Sequence, residues 1–529
     1  MQGDPASLTR QAGTQIHRFH GGLRLRHHKK ISCTRPVARP PLPELMVIPL
    51  QQHLGEPVAA RVRPGQHVPK GEPLGDVDCG RGVNVHAPTS GTVEAVEERP
   101  MSHPSGLPGT CVVLRPDGQD RWRVQEPLPG WQSMAPEALL QAICSAGIVG
   151  LGGAVFPTHR KAHHGRGAGI HTLIVNGAEC EPYISCDEML MRERPAKIVS
   201  GARILQHAAG AERTVIAIED QMGAVMRALR AAIGELGHTD VSVVRVPAIY
   251  PEGGERQLIQ VLTGQEVPFG GFPADIGLLC QNVGTVAAVA DAIVHGRPLV
   301  ERYVTVTGNG VREPRNLLAL VGTPVAHLVA QCGGYTENVA RVVIGGPMMG
   351  YSLGSDAEPV VKAVNCILAL SREDVAPLQP QMPCIRCGEC ARVCPAQLLP
   401  QQLHWQIRTG QWAASAEYGL GACIECGCCD FVCPSHIPLA EWFRYGKGEL
   451  KHQARARAGA DHARGRFVAR EQRLERVKRE KRERLAARKR ALQDKAARRR
   501  EVSEALERAA QDRPGDAGDP DPADRGGRP

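Results

Sequence analysis

Between residues 137 and 300 the chain alternates short, wholly apolar runs with longer stretches whose apolar residues recur at helical spacing. Thr172–Val175, Thr214–Ile218 and Val241–Val246 are of strand length, and Ala196–His207 and Gln221–Leu236 fall between them as helices. This rhythm predicts a layered sheet with crossover helices. Upstream, 45–125 is rich in Val, Gly and Pro in short alternating stretches, punctuated at turn-like intervals by Gly65, Gly71, Gly75, Gly80 and Gly91, which predicts a small β domain. Residues 301–360 turn β-rich again from Tyr303–Gly308 onward. Beyond 449 the pattern fades: 451–510 is rich in Arg, Ala and Glu with high helix propensity and a thin apolar stripe, and 511–529, rich in Asp, Gly and Pro, is expected to be disordered. No run approaches the roughly 18 apolar residues a membrane helix needs. The most apolar region, Leu278–Val294, is interrupted by Gln281, Asn282 and Asp291.

A chain of 529 residues with this organisation is multidomain, and aromatic residues at 4% leave the cores to aliphatic side chains. The net charge of +9 is local: residues 451–500 carry 20 Lys/Arg and 6 Asp/Glu, giving 20 − 6 = +14, so the remainder sums to 9 − 14 = −5. That basic tail reads first as a solubilising extension, next as a dock for anionic lipid or an acidic partner. Nucleic acid is the least favoured partner, since no aromatics beyond Phe467 interleave the cations. The N-terminal stretch is basic without an apolar core after it, so a cytoplasmic protein is expected.

The cysteines carry the sharpest chemistry. Cys384, Cys387, Cys390 and Cys394 read C-x2-C-x2-C-x3-C-P, and Cys423, Cys426, Cys429 and Cys433 repeat the pattern. This spacing is that of two [4Fe–4S] clusters, in which three close thiolates hold one cubane and the fourth crosses to the other. The expected ligand sets are Cys384, Cys387, Cys390 and Cys433 for the first cluster, and Cys423, Cys426, Cys429 and Cys394 for the second. Zinc sites would use cysteine pairs and need neither the third cysteine nor the proline. Structural disulfides fit less well, since ligand-spaced cysteines without a secretory leader point to a reducing compartment. Cys428, Cys180 and Cys186 are read as packing residues.

A glycine-rich loop, Gly150–Leu151–Gly152–Gly153–Ala154–Val155–Phe156, precedes Arg160 and Lys161, a combination suited to holding a phosphate. Asn176–Gly177–Ala178–Glu179–Cys180–Glu181–Pro182 follows a predicted strand, where α/β folds bind ligands. These two segments resemble the FMN- and NADH-binding subunit of respiratory complex I. The order of elements resembles more closely the C-subunit family of Rnf electron-transport complexes: Phe19–His20–Gly21–Gly22, a barrel-sandwich domain, a flavin domain, a small β-grasp-like domain and two ferredoxin-type cluster motifs, over residues 18–450. The run Val83–Val93 is also similar to lipoyl and biotinyl carrier barrels, but lacks their hairpin lysine. The implied fold is multidomain α/β and β: an N-terminal segment (1–44), a barrel-sandwich hybrid (45–125), a Rossmann-like FMN/NADH domain (137–300), an SLBB-like β-grasp domain (301–360), an α-helical bis-[4Fe–4S] ferredoxin-type domain (375–448) and a basic helical or disordered tail (449–529).

Position by position, the resemblance assigns Gly150, Gly152, Gly153 and Ala154 to flavin and nucleotide phosphates. It sets Lys161 facing the cofactor, Asn176 against the flavin, and Glu179 and Glu181 near flavin and nicotinamide. Phe156 corresponds to an aromatic that stacks on the nucleotide, while Tyr250, Glu255, Asn282 and Thr285 fall in the remaining flavin-site segments. The two glutamates have a plainer reading as helix caps, and Phe156 and Tyr250 one as core aromatics. Leu151, Val155 and Ala162 depart from the complex I pattern, where an arginine, a glycine and a tryptophan stand.

The resemblance implies an oxidoreductase and translocase subunit that passes electrons between NADH, FMN and two [4Fe–4S] clusters, with no protein acid or base required for hydride transfer. It would sit peripherally on the cytoplasmic face of the bacterial inner membrane, with the membrane and iron–sulfur subunits of the same complex as partners and ferredoxin reached indirectly. Two alternatives stand beside this: the same core keeping a redox-sensing transcription factor reduced, and a non-enzymatic cluster protein whose tail binds nucleic acid.

Overall fold

The computed structural model describes residues 15–55, 57–76, 78, 79, 82–377 and 379–511. The expected disorder of the extreme C-terminus and the turn at Gly80 lie outside them, apart from Gln511, which is helical. The chain divides into two compact units, ending and beginning at Lys447 and Gly448.

In the first unit, the two small sheets of the barrel are ordered Met46–Pro49, Pro108–Pro116, Gly91–Pro100, His67–Val68 and Ala59–Ala60, Pro73–Asp76, Val85–His86. Alternation along the strands turns Met46, Ile48, Val93, Val112 and Leu114 inward to a common core. Lys70 is buried here, bonded to Asp120 and 5.0 Å from the Trp122 ring centroid.

The predicted strands of the α/β domain become Thr172–Gly177, Arg213–Glu219 and Val241–Val246, joined by Leu278–Asn282 in one all-parallel sheet. Parallel pairing demands crossovers: Glu255–Thr263 supplies one on one face of the sheet, and Pro195–Ala209 and Gly223–Glu235 supply two on the other, where Val283–His295, which follows the last strand, packs beside them. Leu173, Val175, Ile216 and Ile218 face the helices on that side; Ile174, Ala217 and Cys280 face Leu258, Ile259 and Leu262. The apolar stretch from Leu278 is thus a buried strand followed by a helix, and no helix of the described residues is long and apolar enough to cross a membrane.

The small domain is a five-stranded sheet ordered Arg315–Leu320, Glu301–Thr307, Cys366–Ser371, Val339–Ile344, Tyr351–Ser352. Its central strand, Cys366–Ser371, pairs parallel with Glu301–Thr307 and lies beyond the expected boundary at 360. The correction has a clear reason: a closing strand separated from its partner by two hairpin arms leaves no local sign of belonging to the same sheet. Cys79 and Cys144, outside the cluster motifs, form a disulfide with Cα atoms 6.0 Å apart.

The cluster domain follows as short helices, Glu389–Arg392, Pro400–Arg408, Trp412–Glu417 and Cys428–Phe431, packed with Phe443 at the start of the helix Leu439–Gln511. From Gly448 on, the second unit is that helix's long remainder, exposed at almost every residue.

Helix packing in the α/β domain leaves no room at Gly201: a Cβ there would lie 1.9 Å from the Val286 carbonyl oxygen. Gly201→Ala is expected to lower stability by about 1–3 kcal/mol. Gly234→Ala, where a Cβ meets nothing within 4 Å, should instead raise it by about 0.5–1 kcal/mol. Denaturant unfolding of the two variants checks both signs.

Candidate functional site

The two cysteine motifs fold alike. In each, the residue before the second cysteine and the glycine after it are left-handed: Arg386 (φ 58°) and Gly388 (φ 80°), then Glu425 (φ 58°) and Gly427 (φ 72°). Three residues past each fourth cysteine the same conformation recurs, at Gln397 (φ 53°) and His436 (φ 51°). Left-handed steps reverse the chain sharply, so three thiols so close in sequence turn toward one point. One cavity is lined by Cys384, Cys387, Cys390 and Cys433, and another by Cys394, Cys423, Cys426 and Cys429. These are the two groups of four, each with its distant cysteine, that the spacing predicts. The donor chemistry fits [4Fe–4S] clusters, and backbone N–H groups already point at sulfur: Leu398 donates to Cys394 Sγ and Glu425 to Cys423 Sγ, each at 3.4 Å. Cys428 also borders the second cavity, fully buried against Tyr250 and Cys426.

The two sites differ in exposure. Cys384 and Cys387 are exposed, whereas Cys394, Cys426 and Cys429 are buried. The second site is also bonded into the rest of the first unit. Tyr250 Oη donates to the Cys426 carbonyl at 2.6 Å, the Cys394 carbonyl lies 2.9 Å from His20 Nδ1, and Gly22 N–H donates to the Val393 carbonyl at 3.0 Å. A Cβ at Gly21 would fall 2.5 Å from the Val393 backbone, so the glycine pair of the N-terminal segment permits this approach.

The flavin-segment residues gather at the carboxyl end of the parallel sheet. Asn176 and Asn282 are register partners on adjacent strands. Asn176 Nδ2 donates to the Gly253 carbonyl at 2.8 Å; Asn282 caps the helix Val283–His295 by accepting from Gly284 N–H at 2.8 Å, and donates to Asp187 at 2.6 Å. Thr285 Oγ1 accepts from Leu151 N–H at 2.8 Å, so the glycine loop is moored to the N-terminus of that helix. A Cβ at Gly152 would stand 3.4 Å from Asn282, while one at Gly153 would meet nothing within 4 Å, so the loop is open on that side. Val155 takes φ 43°, a strained conformation for a β-branched residue, where the complex I pattern carries glycine. Phe156 is partly exposed with the Arg160 guanidinium 5.8 Å from its ring centroid, and Lys161 pairs with Glu255 and donates to the Cys280 carbonyl at 2.7 Å. Gln281 Nε2 and Thr158 Oγ1, beside Asn282 and at the start of the helix after the loop, are buried without a partner among the described residues. An open glycine loop at a helix N-terminus, with a cation and orphaned donors next to it, fits a phosphate-bearing flavin.

Glu179, Glu181 and Tyr250 are placed differently, with their polar atoms already engaged. Glu179 caps the helix Cys186–Glu193, accepting from Asp187 and Glu188 N–H at 3.0 and 3.2 Å. Glu181 accepts from Met348 and Met349 N–H at 2.8 and 3.0 Å, and Tyr250 reaches the second cluster motif.

The sequence pattern did not reveal a buried charge cluster beside them. Lys29 is 6% exposed, donates to the Glu179 carbonyl, and has its ammonium 3.8 Å from the Glu179 carboxylate and 3.6 Å from that of Glu219. Burial works against this ammonium, but Glu179 and Glu219 together hold its pKa above the ordinary value. Burial pushes the carboxylates the other way: Glu179 is raised, and Glu219 stands at about 7 despite Lys29. Glu252 is 1% exposed with neither oxygen partnered among the described residues, and burial, with the charges of Glu219 and Asp220, pushes it up to about 8. Lys29 lies in a run of basic residues that reads as surface, so nothing local could have revealed its burial.

Comparison with known proteins agrees with this geometry. The RnfC barrel sandwich hybrid domain profile matches residues 17–119, the Nuo51 FMN-binding domain 143–291, the SLBB domain 303–352 and the 4Fe-4S dicluster domain 383–437. Curated relatives, each named as the C subunit of an ion-translocating oxidoreductase complex, include those of Pseudomonas aeruginosa (46% identity over 89% of this chain and 60% of the relative), Edwardsiella ictaluri (48%, over 88% and 58%) and Yersinia pestis (45%, over 89% and 75%). The chain therefore spans about three fifths of the length of the first two. Among solved structures, an air-oxidized NAD+-reducing [NiFe]-hydrogenase aligns with a TM-score of 0.42 at 21% identity over 53% of this chain and 54% of that one, a likeness too loose to bear on function.

The Glu252 carboxyl holds in the folded chain a proton that the unfolded chain releases, so its contribution to stability is full below its ordinary pKa and is lost as pH rises through about 8. Glu252→Gln keeps the neutral shape at every pH. Its stability relative to the parent should therefore grow by about 3 kcal/mol between about pH 6 and about pH 9. A pH-independent difference in denaturant unfolding would refute the assignment.

Proposed function

The chain belongs to the family of C subunits of ion-translocating oxidoreductase complexes, and from that premise we propose that it carries electrons between NADH and two [4Fe–4S] clusters by way of FMN. In this reading it is the peripheral, NAD-side subunit of an Rnf-type ferredoxin:NAD oxidoreductase on the cytoplasmic face of the membrane. Other subunits exchange electrons with ferredoxin and move the ion.

The observation that carries the reading is the Tyr250–Cys426 hydrogen bond. Tyr250 begins the segment whose Gly253 carbonyl is bonded to Asn176 and whose Glu255 pairs with Lys161. A single short peptide thus links the strand ends suited to flavin with the backbone of the second cluster motif. Bound FMN supplies the conversion between two-electron hydride chemistry and one-electron transfer. The chain's residues hold and separate the centres. The mooring of Leu151 to Thr285 fixes the glycine loop. Asn176 and Asn282 set the edge against which a flavin ring would lie, and Glu181 fastens the loop Met348–Met349, whose Met348 carbonyl approaches Gly427. The exposure gradient from Cys426 and Cys394 to Cys384 and Cys387 supports an order in which the inner cluster faces the flavin and the outer one faces a partner.

Anaerobic purification with iron, sulfide and flavin assays tests this. About eight irons with one FMN per chain, and bleaching of flavin and cluster absorbance on NADH addition, are expected. Eight irons without flavin or bleaching would defeat the NADH path and leave a cluster relay. Cys394→Ser should lower iron to about four per chain while flavin is retained and still reduced by NADH.

A further inference from the structure

We propose that the long helix of the second unit lies on an anionic lipid surface, with a narrow apolar seam inserted between headgroups and flanking arginines on lipid phosphates. The seam emerges from a repeat within the helix. Residues 464–474, Arg-Gly-Arg-Phe-Val-Ala-Arg-Glu-Gln-Arg-Leu, recur as 482–492, Arg-Glu-Arg-Leu-Ala-Ala-Arg-Lys-Arg-Ala-Leu, a step of 18 residues. At about 3.6 residues per turn that step is five whole turns, so each repeated position returns to the same face. Phe467 and Leu485 coincide in direction, as do Leu474 and Leu492, and the two pairs are only about 20° apart. All four are exposed, by 46–60%. The seam runs about 37 Å from Phe467 to Leu492.

Charge is sorted around it. Arg464 and Arg482 lie about 60° to one side, Arg470 and Arg488 about 60° to the other. Over residues 460–500, nine Lys or Arg residues fall within about 60° of the seam against one carboxylate, Glu471. Glu480, Glu483 and Asp494 point to the opposite face. The rest of the protein sums to −5, so attraction to an anionic surface is concentrated in this helix.

The mixture of side chains on one face decides between occupants. Lys478 and Lys481 sit inside the seam between Leu474 and Leu485. Against a second helix they would have to be stripped of water. On a bilayer their stems lie along the acyl boundary while the ammonium groups rise to the phosphates. A nucleic acid would pair with the arginines but would bury no leucine, and the seam's only aromatic is Phe467. A basic helix with a narrow apolar face is suited to lying in the interface of an anionic membrane. The contact would tie this chain to lipid independently of any partner subunit and of its cofactors.

The test is flotation of the full-length protein with vesicles of phosphatidylcholine alone or mixed three to one with phosphatidylglycerol. Binding should be roughly tenfold or more stronger to the mixed vesicles, and should weaken as salt is raised. The variant Phe467→Ala/Leu474→Ala/Leu485→Ala/Leu492→Ala keeps helix propensity and touches nothing buried; it should lose roughly tenfold or more of that binding with its circular dichroism unchanged. Lack of binding to the mixed vesicles overturns the proposal, as does binding that the four alanines leave intact. Self-association of the parent without vesicles that the alanines abolish would make the seam a protein contact. Tighter binding to duplex DNA than to the mixed vesicles would assign the arginines to nucleic acid. Either result also overturns the proposal.

Discussion

Parallel strand pairing is the constraint from which the rest of the first unit derives. Strands that run the same way must bring all their carboxyl ends to one edge, and the crossovers must return behind them. Asn176 and Asn282 therefore stand side by side although 106 residues of chain separate them. The same edge receives the Gly253 turn, the Lys161–Glu255 pair and, through Thr285, the glycine loop. An antiparallel sheet of the same composition would scatter these groups between two edges. The hydrogen bond to the second cluster motif also starts here, because Tyr250 belongs to the turn that closes this edge.

Buried polar ties then fix neighbouring domains to the sheet. Lys362 is fully buried, donating to the Asn84 and Gly147 carbonyls at 3.1 and 2.7 Å, and burial pushes its pKa down to about 7. It thereby joins the β-grasp domain to the barrel and to the loop before the glycine segment. Arg302 binds the carbonyls of Lys362 and Leu151 beside it. Lys29 does the same for the N-terminal segment, bringing one ammonium into a group of carboxylates that outnumber it. Such groups are stable only when every charge is matched or protonated, so each depends on partners held rigidly in place.

Much of this was legible in the chain. The strand runs and the helices between them derive from apolar spacing, because a parallel strand buried on both faces must be apolar throughout. The cysteine motifs are legible for a different reason: a cubane has a fixed size, so its three near ligands must come at a fixed short interval. Glu179 and Glu181 show the limit. Their position after a strand marks them as polar groups near a ligand edge, yet one caps a helix and the other fastens a loop of the β-grasp domain. The central strand Cys366–Ser371 was missed because its neighbours in the sheet are distant in the chain.

The sequence alone determined what depends on near neighbours: element type, the two closely spaced cysteine motifs, the glycine loop, and the concentration of positive charge in one helix. Only the tertiary structure decided which of those pieces meet. Lys29 and Glu179 are 150 residues apart, Tyr250 and Cys426 are 176, and His20 and Cys394 are 374. Periodicity and spacing encode contacts within a turn of helix or a step of strand. A contact between remote residues is set by how whole elements pack, and it leaves no mark on the sequence around either partner.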